Sequence, residues 1–230
     1  MFDFLQIQSE LGISAADCLE FFASIRSGYI QDSGLHFKRH YHNFSHALDV
    51  TQTLFATFGF FGGVQLLSSL EKIVLLVASI GHDIAHPGVT NQYIVETKHP
   101  YTVSYGRTSV LESMHAATMS KLVEKHNILQ NLALQDKVKM QKLLVTAILN
   151  TDVAQHNGLL GQVQGLVSCE SPRQQFEECE RLAISSFLLH CADISNAAKP
   201  FHTAERWTDL IMKYVLDAWF SLGENAPLSC

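Results

Sequence analysis

The sequence predicts an all-α protein built around a single hydrophobic core. Apolar residues recur at helical spacing rather than alternating as they would along strands. Hydrophobic residues make up 47% of the 230 residues, which is enough to fill a sizeable core. The sequence has no internal repeat, low-complexity tract or Pro/Gly-rich linker that would mark a second domain. We therefore expect one compact multi-helix domain.

The spacing of apolar residues predicts six helices along the chain. In order, they cover residues 44–58, 70–80, 109–126, 137–150, 174–191 and 204–221. Between the first two, Gly59, Gly62 and Gly63 indicate a turn. Pro87 should end the helix that carries His82, because proline disfavours helical geometry in the residue before it. Pro172, after a serine, favours a capped helix start.

Charge and composition exclude several classes of function. The net charge of −6 and the absence of a basic cluster argue against a nucleic-acid binder, which needs a positive face. The uncharged segment 51–70 is interrupted by polar residues and glycines, so we expect no membrane span. Five cysteines without a CxxC pair or a secretory leader fit a reduced protein. The expected location is cytoplasmic.

Two pairs of histidines have the four-residue spacing that places side chains on one face of a helix. These pairs are His42 with His46 and His82 with His86. Asp83 follows the first histidine of the second pair, just before the predicted helix end. Imidazole and carboxylate groups together suit Zn²⁺ or a similar first-row ion, and carboxylates can also hold Mg²⁺ or Mn²⁺. The pattern therefore favours a metallohydrolase.

Further candidate ligands lie later in the chain. Glu112 and His115 are three residues apart in a predicted helix, an arrangement that helical bundles use for metal ligands. Asp193 follows the apolar run 182–192, which would place its carboxylate at the end of a buried helix. Such a carboxylate needs a cation or a hydrogen-bond donor. Alternatively, Asp193 could cap a helix that starts at Ser195.

The string His82-Asp83-x-x-His86 also resembles the HExxH helix of zinc proteases, with Asp in place of Glu. We discount this interpretation for two reasons. The shorter carboxylate would not reach a zinc-bound water in the same way, and Pro87 interrupts the helix where such proteases continue it.

Five sequence blocks together resemble a known family. A His-Asp pair with a distant histidine before it and an aspartate after it looks like the metal centre of the HD superfamily of phosphohydrolases. Within that superfamily, the chain is similar from about residue 41 to about residue 216 to the catalytic domain of class I 3′,5′-cyclic nucleotide phosphodiesterases. The blocks are Tyr41-His42-Asn43-x-x-His46-Ala47-x-Asp49-Val50, His82-Asp83-x-x-His86-Pro87-Gly88-x-x-Asn91, Ser109-Val110-Leu111-Glu112-x-x-His115, Thr151-Asp152 and His190-Cys191-Ala192-Asp193-x-Ser195-Asn196.

The resemblance implies a pocket with two divalent metal ions and a role for each matching residue. The first ion, usually Zn²⁺ in this family, would be held by His46, His82, Asp83 and Asp193. Asp83 would bridge to a second ion, usually Mg²⁺ or Mn²⁺. The positions that would support its waters or the histidines are His86, Glu112, His115, Thr151 and Asp152. His42 matches the family's proton donor, which Glu112 is a candidate to keep protonated, and Tyr41 and Asn196 match positions near the nucleotide.

The activity implied by the resemblance is metal-dependent hydrolysis of the 3′-phosphoester bond of a cyclic nucleotide. The substrate would be cAMP, cGMP or both, the product the 5′-monophosphate, and the context cyclic-nucleotide signalling. The family carries a later helix with a purine-binding glutamine and a nearby phenylalanine, and this sequence ends before it. We therefore expect an N-terminal helical part (1–40), a catalytic domain that lacks the base-binding helices (41–216) and a divergent tail (217–230). The sequence predicts no particular oligomeric state.

Two alternatives remain beside this hypothesis. The chain could be a catalytically weak regulatory module that keeps the metal centre and engages a partner through the face around Trp207 and Trp219. A broader HD phosphohydrolase acting on nucleoside triphosphates or monophosphates is disfavoured by the complete Tyr41-His42-Asn43 block.

Overall fold

The computed structural model describes residues 7–30, 38–60, 66–167 and 176–225, and within these ranges every regular element is a helix. The predicted all-α fold is confirmed. Two short 3₁₀ helices cover Val153–Gln155 and Ser195–Ala198. The α-helices are α1 (Ile7–Leu11), α2 (Ala15–Ile30), α3 (Phe44–Phe60), α4 (Ser69–Gly81), α5 (Asn91–Glu96), α6 (Tyr101–Tyr105), α7 (Val110–Lys125), α8 (Leu134–Leu149), α9 (His156–Val167), α10 (Glu178–Asp193) and α11 (Phe201–Asn225).

Helix α4 forms the centre of the core, and every residue from Lys72 to Gly81 is buried. Ser68 starts the helix with a capping box, in which its hydroxyl accepts from the Glu71 N–H at 3.2 Å and the Glu71 carboxylate accepts from the Ser68 N–H at 2.8 Å. Arg181 of α10 donates to the same carboxylate at 2.9 Å. Helices α3 and α8 pack against α4, and α8 also packs against α7 and α10. This arrangement directs the C-terminal ends of α4 and α10 toward the start of α3.

All six predicted helices are found, with bounds that differ from the predictions by a few residues. Gly62 and Gly63 of the predicted turn and the predicted helix start at Pro172 lie outside the described residues. The assignment of Gly59 to this turn was wrong, because α3 continues through Gly59 to Phe60. The apolar pattern did not predict α1, α2, α5, α6 or α9, of which α1, α5 and α6 have only five or six residues.

The prediction that Pro87 ends the helix carrying His82 was wrong. Helix α4 ends at Gly81, and His82 is its capping residue. The chain then forms a turn in which Ala85 has a φ of 60°, in the left-handed region that interrupts helical geometry. His82 and His86 therefore do not share a helix face, which also removes the HExxH interpretation.

The expectation that His42 and His46 share one helix face was also wrong. Helix α3 begins at Phe44, because the Asn43 side chain accepts hydrogen bonds from the N–H groups of Ser45 (2.9 Å) and His46 (3.2 Å). His42 therefore precedes the helix, whereas His46 lies in its first turn.

None of the helices in the described ranges is long and apolar enough to span a membrane.

The central position of α4 predicts a large cost for truncating its side chains. Leu76 is fully buried, so Leu76→Ala should lower the free energy of unfolding by about 2–5 kcal/mol, measured by urea denaturation. Leu19 of α2 is 72% exposed, and Leu19→Ala should change stability by about 0.5 kcal/mol or less. Equal losses in the two variants would contradict the central position of α4.

Candidate metal centre and active site

Three chain segments that are distant in sequence bring two imidazoles and two carboxylates together. His46 comes from the first turn of α3, His82 and Asp83 from the turn after α4, and Asp193 is the last residue of α10. His46 Nε2 lies 2.9 Å from Asp193 Oδ1 and 3.6 Å from Asp83 Oδ2. His82 Nε2 lies 3.2 Å from each of these two oxygens. The potential ligand atoms of His46, His82 and Asp193 all lie within 4.8 Å of one another.

The hydrogen bonds of His82 show which of its ring nitrogens is available to a metal. Its Nδ1 lies 2.8 Å from the carbonyl oxygen of Ser79, which can only accept, so Nδ1 carries a proton. In the neutral ring, Nε2 then carries a lone pair, which is directed at the carboxylates of Asp83 and Asp193. His82 Nε2 and Asp83 Oδ2 are both buried and make no hydrogen bond within the described part of the chain. Such a group of acceptors fits a cation.

Electrostatics at the helix ends also favours a cation here. The C-terminus of an α-helix carries a partial negative charge, so carboxylates directly after α4 and at the end of α10 are unfavourable without a positive partner. Burial alone would raise the pKa of Asp83, but the charge of His82 outweighs it and holds the pKa well below its usual range. The pKa of Asp193 is lowered in the same way. Burial opposes the charge on His82, yet the two carboxylates raise the pKa of His82 well above its usual value.

A second pair of imidazoles lies on the other side of Asp83. His115 Nε2 lies 3.9 Å from Asp83 Oδ1, and His115 Nδ1 donates to the Ile84 carbonyl at 2.6 Å. The His86 ring stacks on His115 with centroids 5.5 Å apart, and its Nδ1 accepts from the Gly88 N–H at 3.0 Å. Burial lowers the pKa of His115 to about 4 and that of His86 well below its usual value. The two oxygens of Asp83 therefore face different imidazoles, Oδ2 those of His46 and His82 and Oδ1 that of His115.

Next to the buried aspartates lies a cavity with a volume of about 520 Å³. Its lining includes Glu112, Thr151 and Asp152. The Glu112 carboxylate accepts from the Asn91 amide at 2.9 Å, and burial raises the pKa of Glu112 to about 7. Asp152 accepts from the Ser109 hydroxyl at 2.7 Å and from the Ala154 N–H at 2.9 Å. The Thr151 hydroxyl donates to the Ile148 carbonyl at 2.8 Å. Asp83 and Asp193 also line this cavity.

His42 lies in an aromatic cage at the cavity wall. Its ring stacks on His86 with centroids 3.9 Å apart, and the edges of Tyr41 and Tyr214 approach it at 4.9 and 4.5 Å. Burial lowers the pKa of His42 to about 4, although the carboxylates of Asp83 and Asp193 partly oppose this. The expected pairing of His42 with Glu112 is not found, since Glu112 bonds to Asn91 instead.

Tyr41 and Asn196 form a buried polar pair in the lining of the cavity. The Asn196 amide donates to the Tyr41 hydroxyl, and Asn196 Oδ1 has no hydrogen-bond partner within the described ranges. The Tyr41 ring also contacts His46 at 4.3 Å and Trp207 of α11 at 5.8 Å between centroids. The pair thus joins the segment before α3 to the segment after α10.

The structure excludes the interpretation of Asp193 as a helix cap. The 3₁₀ helix that starts at Ser195 has no side-chain cap, so Asp193 does not act as one. Its carboxylate faces His46 and His82 instead.

Sequence reasoning missed several residues that contribute to the site. Tyr214 contacts His42 from α11, but in the sequence it belongs to an ordinary apolar stripe. Asn91 and Ser109 lie in two of the five sequence blocks. Spacing did not predict that they donate hydrogen bonds to Glu112 and Asp152. The Tyr29 hydroxyl accepts from the Asp83 N–H across 54 positions of sequence, and no local pattern indicated it.

Three comparisons relate the chain to known proteins. The family model described as 3'5'-cyclic nucleotide phosphodiesterase matches residues 41–218. The 3',5'-cyclic-AMP phosphodiesterase 4C of Rattus norvegicus is 32% identical over 179 residues, which are 75% of this chain and 33% of the relative. The dual specificity calcium/calmodulin-dependent 3',5'-cyclic nucleotide phosphodiesterase 1B of Cricetulus griseus is 31% identical over 207 residues, 89% of this chain and 37% of the relative. The chain thus spans only about a third of the length of these relatives.

A solved structure agrees with the fold. The phosphodiesterase domain of the RhoPDE fusion protein from the choanoflagellate Salpingoeca rosetta matches with a TM-score of 0.87, over 97% of this chain and 69% of that one. At 22% identity this similarity concerns the fold alone. The family match, however, extends over most of the sequence. The chain therefore belongs to the 3'5'-cyclic nucleotide phosphodiesterase family.

Proposed function

We propose that this chain hydrolyses the 3′-phosphoester bond of a 3′,5′-cyclic nucleotide, cAMP, cGMP or both, to the 5′-monophosphate. One observation carries the proposal. In a member of this family, the buried imidazoles of His46 and His82 face the carboxylates of Asp83 and Asp193, and both aspartates line a cavity of about 520 Å³. That volume lies within the range of small-molecule sites, which is about 300–1,000 Å³.

In the proposed enzyme, His46, His82, Asp83 and Asp193 would hold a first divalent cation, Zn²⁺, and Asp83 would also contribute to holding a second, Mg²⁺ or Mn²⁺. The separate directions of the two Asp83 oxygens, one toward His82 and one toward His115, support this bridging role. When bound, such cations neutralise the phosphate oxygens and lower the pKa of water to near neutrality. The residues assigned to support the second ion through water are His86, Glu112, His115, Thr151 and Asp152.

His42 is the proposed proton donor to the departing ribose 3′-oxygen. Its ring borders the cavity beside Asp83, and the stack with His86 fixes its orientation. Because burial lowers the pKa of His42 to about 4, the ring needs additional negative charge nearby to become an imidazolium. The phosphate of a bound cyclic nucleotide would supply that charge. Protonation of His42 would then accompany substrate binding.

Tyr41 and Asn196 are proposed to contact the nucleotide. Both line the cavity, and the hydrogen bond between them leaves Asn196 Oδ1 as an unused acceptor. An amide oxygen at this position can accept from a hydroxyl or amino group of a ligand.

A second candidate function is a catalytically weak regulatory module of the same fold. The observation that favours it is an exposed apolar side of α11, where Met212, Trp219 and Phe220 are 50%, 72% and 68% exposed. An apolar surface of this kind often marks a site of protein contact.

An activity assay separates the two candidates. Chain stripped with a chelator should be inactive, and Zn²⁺ with Mg²⁺ or Mn²⁺ should restore hydrolysis of cAMP or cGMP, measured as 5′-monophosphate by chromatography. The absence of turnover with every metal combination, in protein that binds metal, would favour the regulatory module.

The assigned metal ligands predict the metal content of two matched variants. Asp193→Asn keeps the size of the side chain and removes its charge, so metal affinity should fall by about tenfold or more, measured by elemental analysis after dialysis against a metal buffer. His202→Ala changes an exposed histidine on α11 and should leave the metal content unchanged. Full metal content in Asp193→Asn would refute its assignment as a ligand.

The proposed role of His42 predicts a loss of turnover without a loss of metal. His42→Asn should lower kcat by about 10²- to 10⁴-fold, the usual contribution of a general acid, because the leaving oxygen would no longer receive a proton. Elemental analysis of the same preparation should show wild-type metal content. Loss of metal in this variant would instead indicate that His42 helps to form the metal centre.

A further inference from the structure

Helix α2 lies outside the residues matched by the family, yet it contacts the turn that carries Asp83. The Tyr29 hydroxyl is buried and accepts a hydrogen bond from the Asp83 N–H at 3.2 Å. The neighbouring Gly28 lies against Ile84. A Cβ atom on Gly28 would be only 2.6 Å from Ile84 Cγ1, so glycine allows the helix to approach this closely.

Tyr29 is itself held in place by two neighbouring segments. Arg39 Nη1 donates to the Tyr29 carbonyl at 2.6 Å. The Tyr29 ring contacts Phe44, the first residue of α3, with centroids 5.8 Å apart. Helix α3 also carries His46. Tyr29 therefore contacts both the turn that carries Asp83 and the helix that carries His46.

The backbone of the turn after α4 makes two hydrogen bonds of its own, from the N–H groups of Ile84 and His86, whereas the Asp83 N–H donates to the Tyr29 hydroxyl. Helix α4 ends at Gly81, and Ala85 has a φ of 60°, a conformation that L-residues avoid. His115 of α7 holds the turn from one side through the Ile84 carbonyl at 2.6 Å. Tyr29 holds it from the other side through the Asp83 N–H. Without the hydroxyl, this buried N–H would lose its acceptor.

We infer that Tyr29 and Gly28 are positioning residues of the metal centre, which fix the Asp83 turn in the geometry that binds a divalent cation. The inference rests on the proposed function, because it takes Asp83 to be a metal ligand. Residues that hydrogen-bond to metal ligands and fix their orientation typically contribute 10- to 100-fold to metal affinity. Helix α2 would thus be a structural part of the active site although it lies outside the family-matched region.

The test uses the full chain with Co²⁺ as a spectroscopic probe, in the absence of substrate. Tyr29→Phe keeps the ring and removes only the hydroxyl. We expect its Co²⁺ affinity to fall about tenfold and its d–d absorption bands to shift, because the Asp83 carboxylate would move relative to the ion. A contact that only stabilises the fold would leave the band positions unchanged. The matched control is Tyr105→Phe, which changes a tyrosine in the separate cluster around α5 and α7.

A second pair of variants tests the close approach of α2. Gly28→Ala should produce the same loss of Co²⁺ affinity by pushing α2 away from Ile84. Gly161→Ala adds a methyl group in open space on α9 and should leave the affinity unchanged. Thermal unfolding followed by circular dichroism identifies the temperature at which each variant is fully folded, and the titrations are made there.

The outcomes separate this inference from the proposed function. Wild-type affinity and spectrum in both Tyr29→Phe and Gly28→Ala would overturn the inference while the proposed metal centre stands. Equal losses in the control variants would also overturn it. Wild-type protein that takes up no Co²⁺ would overturn the proposed function and the inference together.

Discussion

The carboxylates of Asp83 and Asp193 lie buried at the C-terminal ends of two helices, and the rest of the site is arranged around their charge. Burial and the helix dipoles both raise the free energy of an anion at these positions. The imidazoles of His46 and His82 face the carboxylates, but the Nδ1 proton of His82 is already committed to the Ser79 carbonyl. A positive charge between the Nε2 atoms and the carboxylate oxygens, whether a proton or a divalent cation, is needed to balance these groups.

The helical core brings these groups together across long stretches of sequence. His46 and Asp193 are 147 positions apart, yet their side chains meet at 2.9 Å. Both helices pack against the buried α4, whose own C-terminal end delivers His82 and Asp83 to the same point. A metal site tolerates errors of only about 0.5 Å in ligand position. The close packing of α4 thus sets the geometry of the site as well as the stability of the domain.

The spacing of apolar residues predicted six of the eleven α-helices in the described ranges, and the sequence motifs predicted most of the polar residues that line the cavity. Prediction from the sequence failed where the backbone depends on a single local interaction. The start of α3 depends on the Asn43 cap, and the end of α4 depends on the turn at Ala85, so neither histidine pair shares a helix face. Contacts such as Tyr29 with Asp83 require the tertiary structure. The preference of asparagine for helix N-termini could have predicted that α3 begins directly after Asn43.

The hydrogen bonds of the remaining carboxylates support the division between direct and water-mediated metal positions. Each oxygen of Asp152 already accepts from a protein donor, Ser109 or Ala154, and Glu112 accepts from Asn91. Moving either group onto an ion would break these bonds, whereas the remaining lone pairs can accept from water. Asp83 Oδ2, in contrast, is buried without any hydrogen bond in the described part of the chain. Mg²⁺ and Mn²⁺ suit such a site, because Mg²⁺ in particular retains several waters and is held by few carboxylates. The hydrogen bonds that Glu112 and Asp152 accept from protein donors are thus consistent with the proposal that they orient water around a second ion, whereas Asp83 Oδ2, beside His46 and His82, is available to the proposed first ion.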